Sequence, residues 1–189
     1  MANEFVMKDR KTIKTVIIDK YDSTVTDNRW NLFLQECESI IGFDTEWSYV
    51  SAGKEDKMET RIVLLRFCSE TCCLIVKLTD DHRVLEKLGS FLCSKGIVFA
   101  GFHIQKDLDK LQKMYGFEVR SFVDLNQVAA KLNNEPSLSV YGVRKLVRYL
   151  LYVDLSKPVR FSTGTQVENA AADLEEAYFA YKIAELLLR

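Results

Sequence analysis

An α/β domain, a mixed β-sheet flanked by α-helices, is the fold class this sequence predicts. Two observations carry that reading. Up to residue 78, runs rich in β-branched and aromatic residues are joined by short polar turns, as in antiparallel hairpins. Beyond it, short apolar runs alternate with segments of helical periodicity, as in parallel strands with helical crossovers. There is no Gly/Ser-rich linker, repeat or low-complexity tract, so a single domain over residues 1–189 is expected.

The elements follow in order. "TIKTVIID" (12–19) is β-branched and weakly alternating, a strand. "TDNRWNLFLQECES" (26–39) places Trp30, Phe33, Leu34 and Cys37 at helical spacing, with Thr26 or Asp27 as the expected N-cap. "IIGFDTEW" (40–47) is an apolar run ending in acids, and "SAGKEDKMETR" (51–61) reads as an exposed hairpin loop. "IVLLRFC" (62–68) and "CCLIVKL" (72–78) are strands joined by the turn "SET". "DDHRVLEKLGSFLCS" is a helix, "GIVFAGF" a short strand, and "IQKDLDKLQKMYG" a helix closed by Gly116. "SFVDLNQVAAKL" is a strand running into a helix, with Asp124 and Gln127 in a capping-box pattern. "SVYGVRKLVRYLL" and "VENAAADLEEAYFAYKIAELLL" are two further helices.

Composition excludes several classes. Apolar residues make up 48% and charged residues 28%, which argues against disorder. No apolar stretch is long enough to span a bilayer, and "MANEFVMKDRKTIK" lacks the apolar centre of a secretion signal. An intracellular location, cytoplasm or nucleus, is therefore expected. A net charge of −1 gives no bulk attraction for nucleic acid and leaves room for local basic patches. The odd cysteine count of five, Cys37, Cys68, Cys72, Cys73 and Cys93, leads us to expect reduced thiols acting as small buried hydrophobes. "CSETCC" contains no C-x-x-C pair, and only two histidines are available to complete a zinc site.

The acids carry the chemistry. Asp44 and Glu46 lie two apart on a strand, so they share a face, and the preceding Gly42 and Phe43 mark the carboxyl end of a central strand. Ligands of open α/β sheets gather at that end. Two carboxylates there repel each other, and a hard cation such as Mg²⁺ or Mn²⁺ would relieve them; the bland alternative is a solvated strand end. Asp107 lies early in a helix after a short strand, where acids are also favoured simply by the helix dipole. Asp173 lies among Ala170, Ala171, Ala172 and Ala177, which would let that helix approach a neighbour closely.

"FDTEW", "GFHIQKDLDKL" and "QVENAAADLEEAY" together resemble the three motifs of the DEDD 3′–5′ exonucleases, of the ribonuclease H-like, DnaQ-type fold, in the Werner-type and ribonuclease D-type branch. Small single-domain plant members are similar. The resemblance implies that Asp44, Glu46, Asp107 and Asp173 hold two Mg²⁺ or Mn²⁺ ions and that the scissile phosphate lies between them. The tyrosine subfamily has Tyr four residues before the last Asp, and the histidine subfamily has His five before it; this chain has Asn169 and Glu168. Asn169 could orient a water but cannot act as a base, so slow turnover is expected. Tyr178 or Tyr181 could substitute for the missing aromatic, or both could be core residues. The resemblance also implies single-stranded RNA or DNA as partner and a homo-oligomer, as in the hexameric rings of similar plant proteins.

Trp47, Tyr49, Phe102 and His103 flank the first two motifs and are candidates for substrate binding, the aromatics by stacking on bases. Arg144, Lys145, Arg148, Lys157 and Arg160 form a basic stretch that could hold a phosphate backbone or simply be a solvated helix face. Two other functions stay open: a nucleic-acid-binding or assembly module with a weakened site, and a ribonuclease H-like endonuclease or transferase.

Overall fold

The computed structural model describes residues 3–19, 23–51, 58–155 and 166–189, with side chains left out at 3, 23–24, 50–51, 58 and 166–173. The strands are β1 (Asn3–Val6), β2 (Thr12–Ile18), β3 (Ile40–Ser51), β4 (Met58–Cys68), β5 (Cys72–Lys77), β6 (Val98–Gly101) and β7 (Phe122–Asp124). The helices are α1 (Ser23–Gln35), α2 (His82–Leu92), α3 (Gln105–Tyr115), α4 (Leu125–Leu132), α5 (Val143–Leu151) and α6 (Gln166–Leu188), with a 3₁₀ turn at Pro136–Val140. The strands form one mixed sheet in the order β1-β2-β5-β4-β3-β6-β7. β4 runs antiparallel to both its neighbours, β3 and β5, whereas β6 and β7 continue parallel to β3.

Strand alternation divides the core into two layers. Ile41, Phe43, Leu65, Phe67, Leu74 and Phe99 point toward α1, α2 and α3. There Phe43, Phe67, Phe91 and Phe99 meet through tilted and edge-on ring contacts. On the other face Ile40, Cys68, Cys73, Ile75 and Ala100 meet α4, α5 and α6. Gly42 shows how tightly α6 is seated. A Cβ at this position would fall 1.9 Å from the Ala177 carbonyl oxygen and 2.5 Å from the Tyr181 amide nitrogen. Only glycine lets the helix backbone rest directly on the central strand.

Several boundaries and contacts differ from expectation. α1 begins at Ser23, so Thr26 and Asp27 lie inside the helix rather than capping it, and Thr26 is buried. The expected loop at 51–61 is partly strand, because β3 extends to Ser51 and β4 starts at Met58; residues 52–57 lie outside the described residues. The thiols are not all reduced. β4 and β5 pair Cys68 directly with Cys73, with Cα atoms 4.1 Å apart, and the two form a disulfide across the three-residue turn. Cys37, Cys72 and Cys93 are free. Asp124 caps α4 as expected, accepting from the amides of Asn126 (3.0 Å) and Gln127 (3.3 Å). Gly116 closes α3 in the left-handed conformation, φ 70°. No described helix is long and apolar enough to cross a membrane.

Candidate nuclease site

Parity places the acids. Phe43 faces the α1–α3 layer, so Asp44 and Glu46 project from the α6 face of β3 at the end of its apolar run. A register shift between Glu46 and Trp47 then turns the strand, and Trp47 is swung toward α3. Its indole Nε1 donates to the Thr45 hydroxyl (2.8 Å) and to Asp107 Oδ1 (2.9 Å). Asp107 stands in the first turn of α3. That helix is launched from β6 by a sharp turn in which His103 takes φ 50°. Gly101 lets the turn pass close beneath β3, since a Cβ there would lie 3.0 Å from the Phe43 carbonyl oxygen. β3 and the start of α3 are thus joined through one tryptophan, but Asp44 and Glu46 lie within β3 and not at its carboxyl end as expected, because the β3–β4 pairing continues to Ser51.

The positive charge between the first two acids comes from the protein itself. Arg66, on β4 directly opposite Asp44, is 2% exposed. Its Nη1 donates to Asp44 Oδ2 at 2.8 Å, and its Nη2 donates to Glu46 Oε2. Even so, Asp44 is pushed up to a pKa of about 7. Burial is the main cause, Arg66 opposes it, and the negative charges of Glu176 on α6 and of Asp107 add to it. Burial likewise raises Asp107, against the hydrogen bonds from Thr45 and Trp47.

A divalent ion is what the motif resemblance implies, and carboxylate oxygens are the right donors for one. Among the described residues those oxygens already have other partners. Asp44 and Glu46 are engaged by Arg66, and Asp107 Oδ1 accepts from Trp47. Among the described residues no group of three or more His, Cys, Asp or Glu side chains is placed to hold a metal ion. The side chains of Asp173 and Asn169 lie outside the described residues, although both positions are on the α6 backbone.

The other candidates separate clearly. Trp47 is 39% exposed, and Lys110 Nζ sits 4.0 Å over its ring. Tyr49 is exposed. Phe102 is half-buried against the α6-side core. His103 is exposed and its Nε2 lies 3.0 Å from the Tyr141 carbonyl oxygen, a structural hydrogen bond. Tyr178 and Tyr181 are fully buried, their hydroxyls donating to Asp9 (2.6 Å) and Glu38 (3.3 Å), so neither replaces a catalytic aromatic. Arg144, Lys145 and Arg148 are exposed on α5, while Lys157 and Arg160 fall outside the described residues. Asp109 is solvated and accepts from Gln105. Sequence reasoning missed Arg66 and Glu176. The signal for the first was a lone charge inside the apolar run "IVLLRFC".

A 3′–5′ exonuclease family model matches residues 18–178. The chain belongs to the 3′–5′ exonuclease family. It is 29% identical over 163 residues to the RISC-interacting clearing 3′–5′ exoribonuclease 1 of Arabidopsis thaliana, covering 81% of this chain and 78% of that protein. Among solved structures it resembles the EXO domain of Aedes aegypti Nibbler, with a TM-score of 0.67 and 15% identity over 92% of this chain and 86% of that one. It also resembles Escherichia coli RNase D, with a TM-score of 0.66 and 15% identity over 93% of this chain and 44% of that one. These two likenesses establish the ribonuclease H-like fold.

Proposed function

We propose that this member of the family removes nucleotides from the 3′ end of single-stranded nucleic acid. The single observation that supports it best is that the Asp44–Glu46 pair on β3 has Asp107 of α3 within electrostatic reach, next to a partly exposed tryptophan that bonds Asp107. An unpaired 3′ terminus would lie across this point, with a base against the exposed part of Trp47 and another on Tyr49. Lys110, over the Trp47 ring, also lines a cleft of about 530 Å³ between β4 and α3, together with Arg61, Lys113, Glu59 and Asp80. Its three cations would hold successive phosphates. The similarity to a plant exoribonuclease favours RNA. Asn169, in the place of the subfamily tyrosine, leaves the attacking water without a phenol to orient it, so turnover is slow.

A second reading has its own observation. Arg66 already neutralises the acid pair, as in a module that binds strands without cutting them. One experiment separates the two. RNA and DNA oligonucleotides labelled at the 5′ end are incubated with Mg²⁺, Mn²⁺ or chelator, and both the product ladder and the complex are followed. Stepwise shortening from the 3′ end supports the exonuclease. Complex formation without shortening supports the binding module, and internal cuts oppose both.

A further inference from the structure

Arg66 has no counterpart in the chemistry that the acid motifs imply. It is a guanidinium, fully covered, placed by strand register where both acids of "FDTEW" reach it. Its planar fork suits two carboxylates at once, and each contact is a charge-assisted hydrogen bond. A hard divalent ion needs the same oxygen lone pairs. With Arg66 covered and Asp44 mostly so, although Glu46 is half-exposed, a dication and a guanidinium on one carboxylate also repel each other. The two cations therefore exclude each other at this pair. Asp107 and Glu176 add negative charge around Asp44, so the place attracts a cation of either kind.

We infer that Arg66 is a resident counter-ion that competes with divalent metal for Asp44 and Glu46 and so sets the metal affinity of the site. The inference rests on the exonuclease reading only for which metals matter. It gives the chain two properties: a folded, neutralised acid pair in the absence of metal, and a metal dependence governed by release of one side chain. Such a release would free Asp44 and Glu46 together, since both are held by the same guanidinium.

The test is Mn²⁺ binding, followed by the electron spin resonance of the free ion and by thermal shift, on wild type, Arg66→Gln, Arg66→Lys and the double variant Arg66→Gln with Asp44→Asn. Arg66→Gln is expected to bind Mn²⁺ at least tenfold more tightly than wild type and to regain on Mn²⁺ addition the melting temperature it loses without it. The double variant is expected to lose that gain. Arg66→Lys keeps the charge but not the fork, so its affinity is expected between the two and serves if Arg66→Gln does not fold. Equal or weaker binding by the folded Arg66 variants overturns the inference. On wild type itself, the Arg66 Nε–Hε resonance is expected to shift on saturation with diamagnetic Mg²⁺; Mg²⁺ binding that leaves it unmoved also overturns the inference. Wild type that shortens RNA with Mn²⁺ while the Arg66 variants show no gain would remove this inference and leave the exonuclease standing. A gain in Mn²⁺ affinity with no cleavage by any variant would do the reverse.

Discussion

Replacing Asp44 by Asn should change how stability depends on pH more than how much stability there is. In the folded protein the Asp44 carboxyl titrates at about 7 against an ordinary 3.8, chiefly because it is buried. Between those two values the folded chain keeps a proton that the unfolded chain has released. The raised value therefore contributes stability in acid, and that contribution is lost as the pH rises through about 7. At pH 5, about two pH units below that value, the contribution is roughly 2–3 kcal/mol at about 1.4 kcal/mol per pH unit. By pH 7.5 almost none of it remains. Asparagine is neutral throughout and keeps an oxygen for Arg66, which also retains Glu46. Urea unfolding of both proteins at pH 5 and pH 7.5, with chelator present, measures the effect. Wild type should gain roughly 2–3 kcal/mol relative to Asp44→Asn on acidification. Parallel pH profiles for the two proteins would show that burial does not hold a proton on Asp44.

Three further outcomes are expected. Gly42→Ala pushes a methyl to within 1.9 Å of the Ala177 carbonyl oxygen, so α6 must retreat by more than an ångström. The cost is roughly 1–3 kcal/mol, seen as a melting temperature lower by roughly 2–10 °C, and an unchanged value would mean that α6 is not seated on Gly42. Asp124→Ala removes two cap hydrogen bonds of α4 and should cost about 1 kcal/mol in urea unfolding. Asn169→Tyr should raise the single-turnover rate of 3′ shortening by roughly tenfold or more at unchanged strand affinity; equal rates for Asn169→Tyr, Asn169→Ala and wild type would place the water elsewhere.

The placement of the acids on a strand and an early helical turn was legible because period and punctuation are local. Asp44 and Glu46 share a face through the two-residue repeat of a strand, and Asp107 follows a buried strand and a turn. Asp124 declared its capping role through its neighbours. What failed was non-local. Arg66 and Asp44 are 22 residues apart and meet only through the β3–β4 register. The same kind of pairing joins Cys68 to Cys73, which composition alone had cast as free thiols. β1 is four residues long, too short for periodicity to reveal. The α1 boundary was misplaced because Thr26, a good capping residue in isolation, is drawn into the core instead.

The two margins of the sheet bear on how copies of this chain could associate. β1 and β7, the outermost strands, are four and three residues long. Each offers an incoming strand only a few backbone donors and acceptors, too short a template for extending the sheet from one molecule to the next. Association through these two margins is therefore expected to be built from side-chain surfaces, with shape and charge choosing the neighbour. Association of that kind should respond to single surface substitutions, whereas growth by strand addition would be largely indifferent to them.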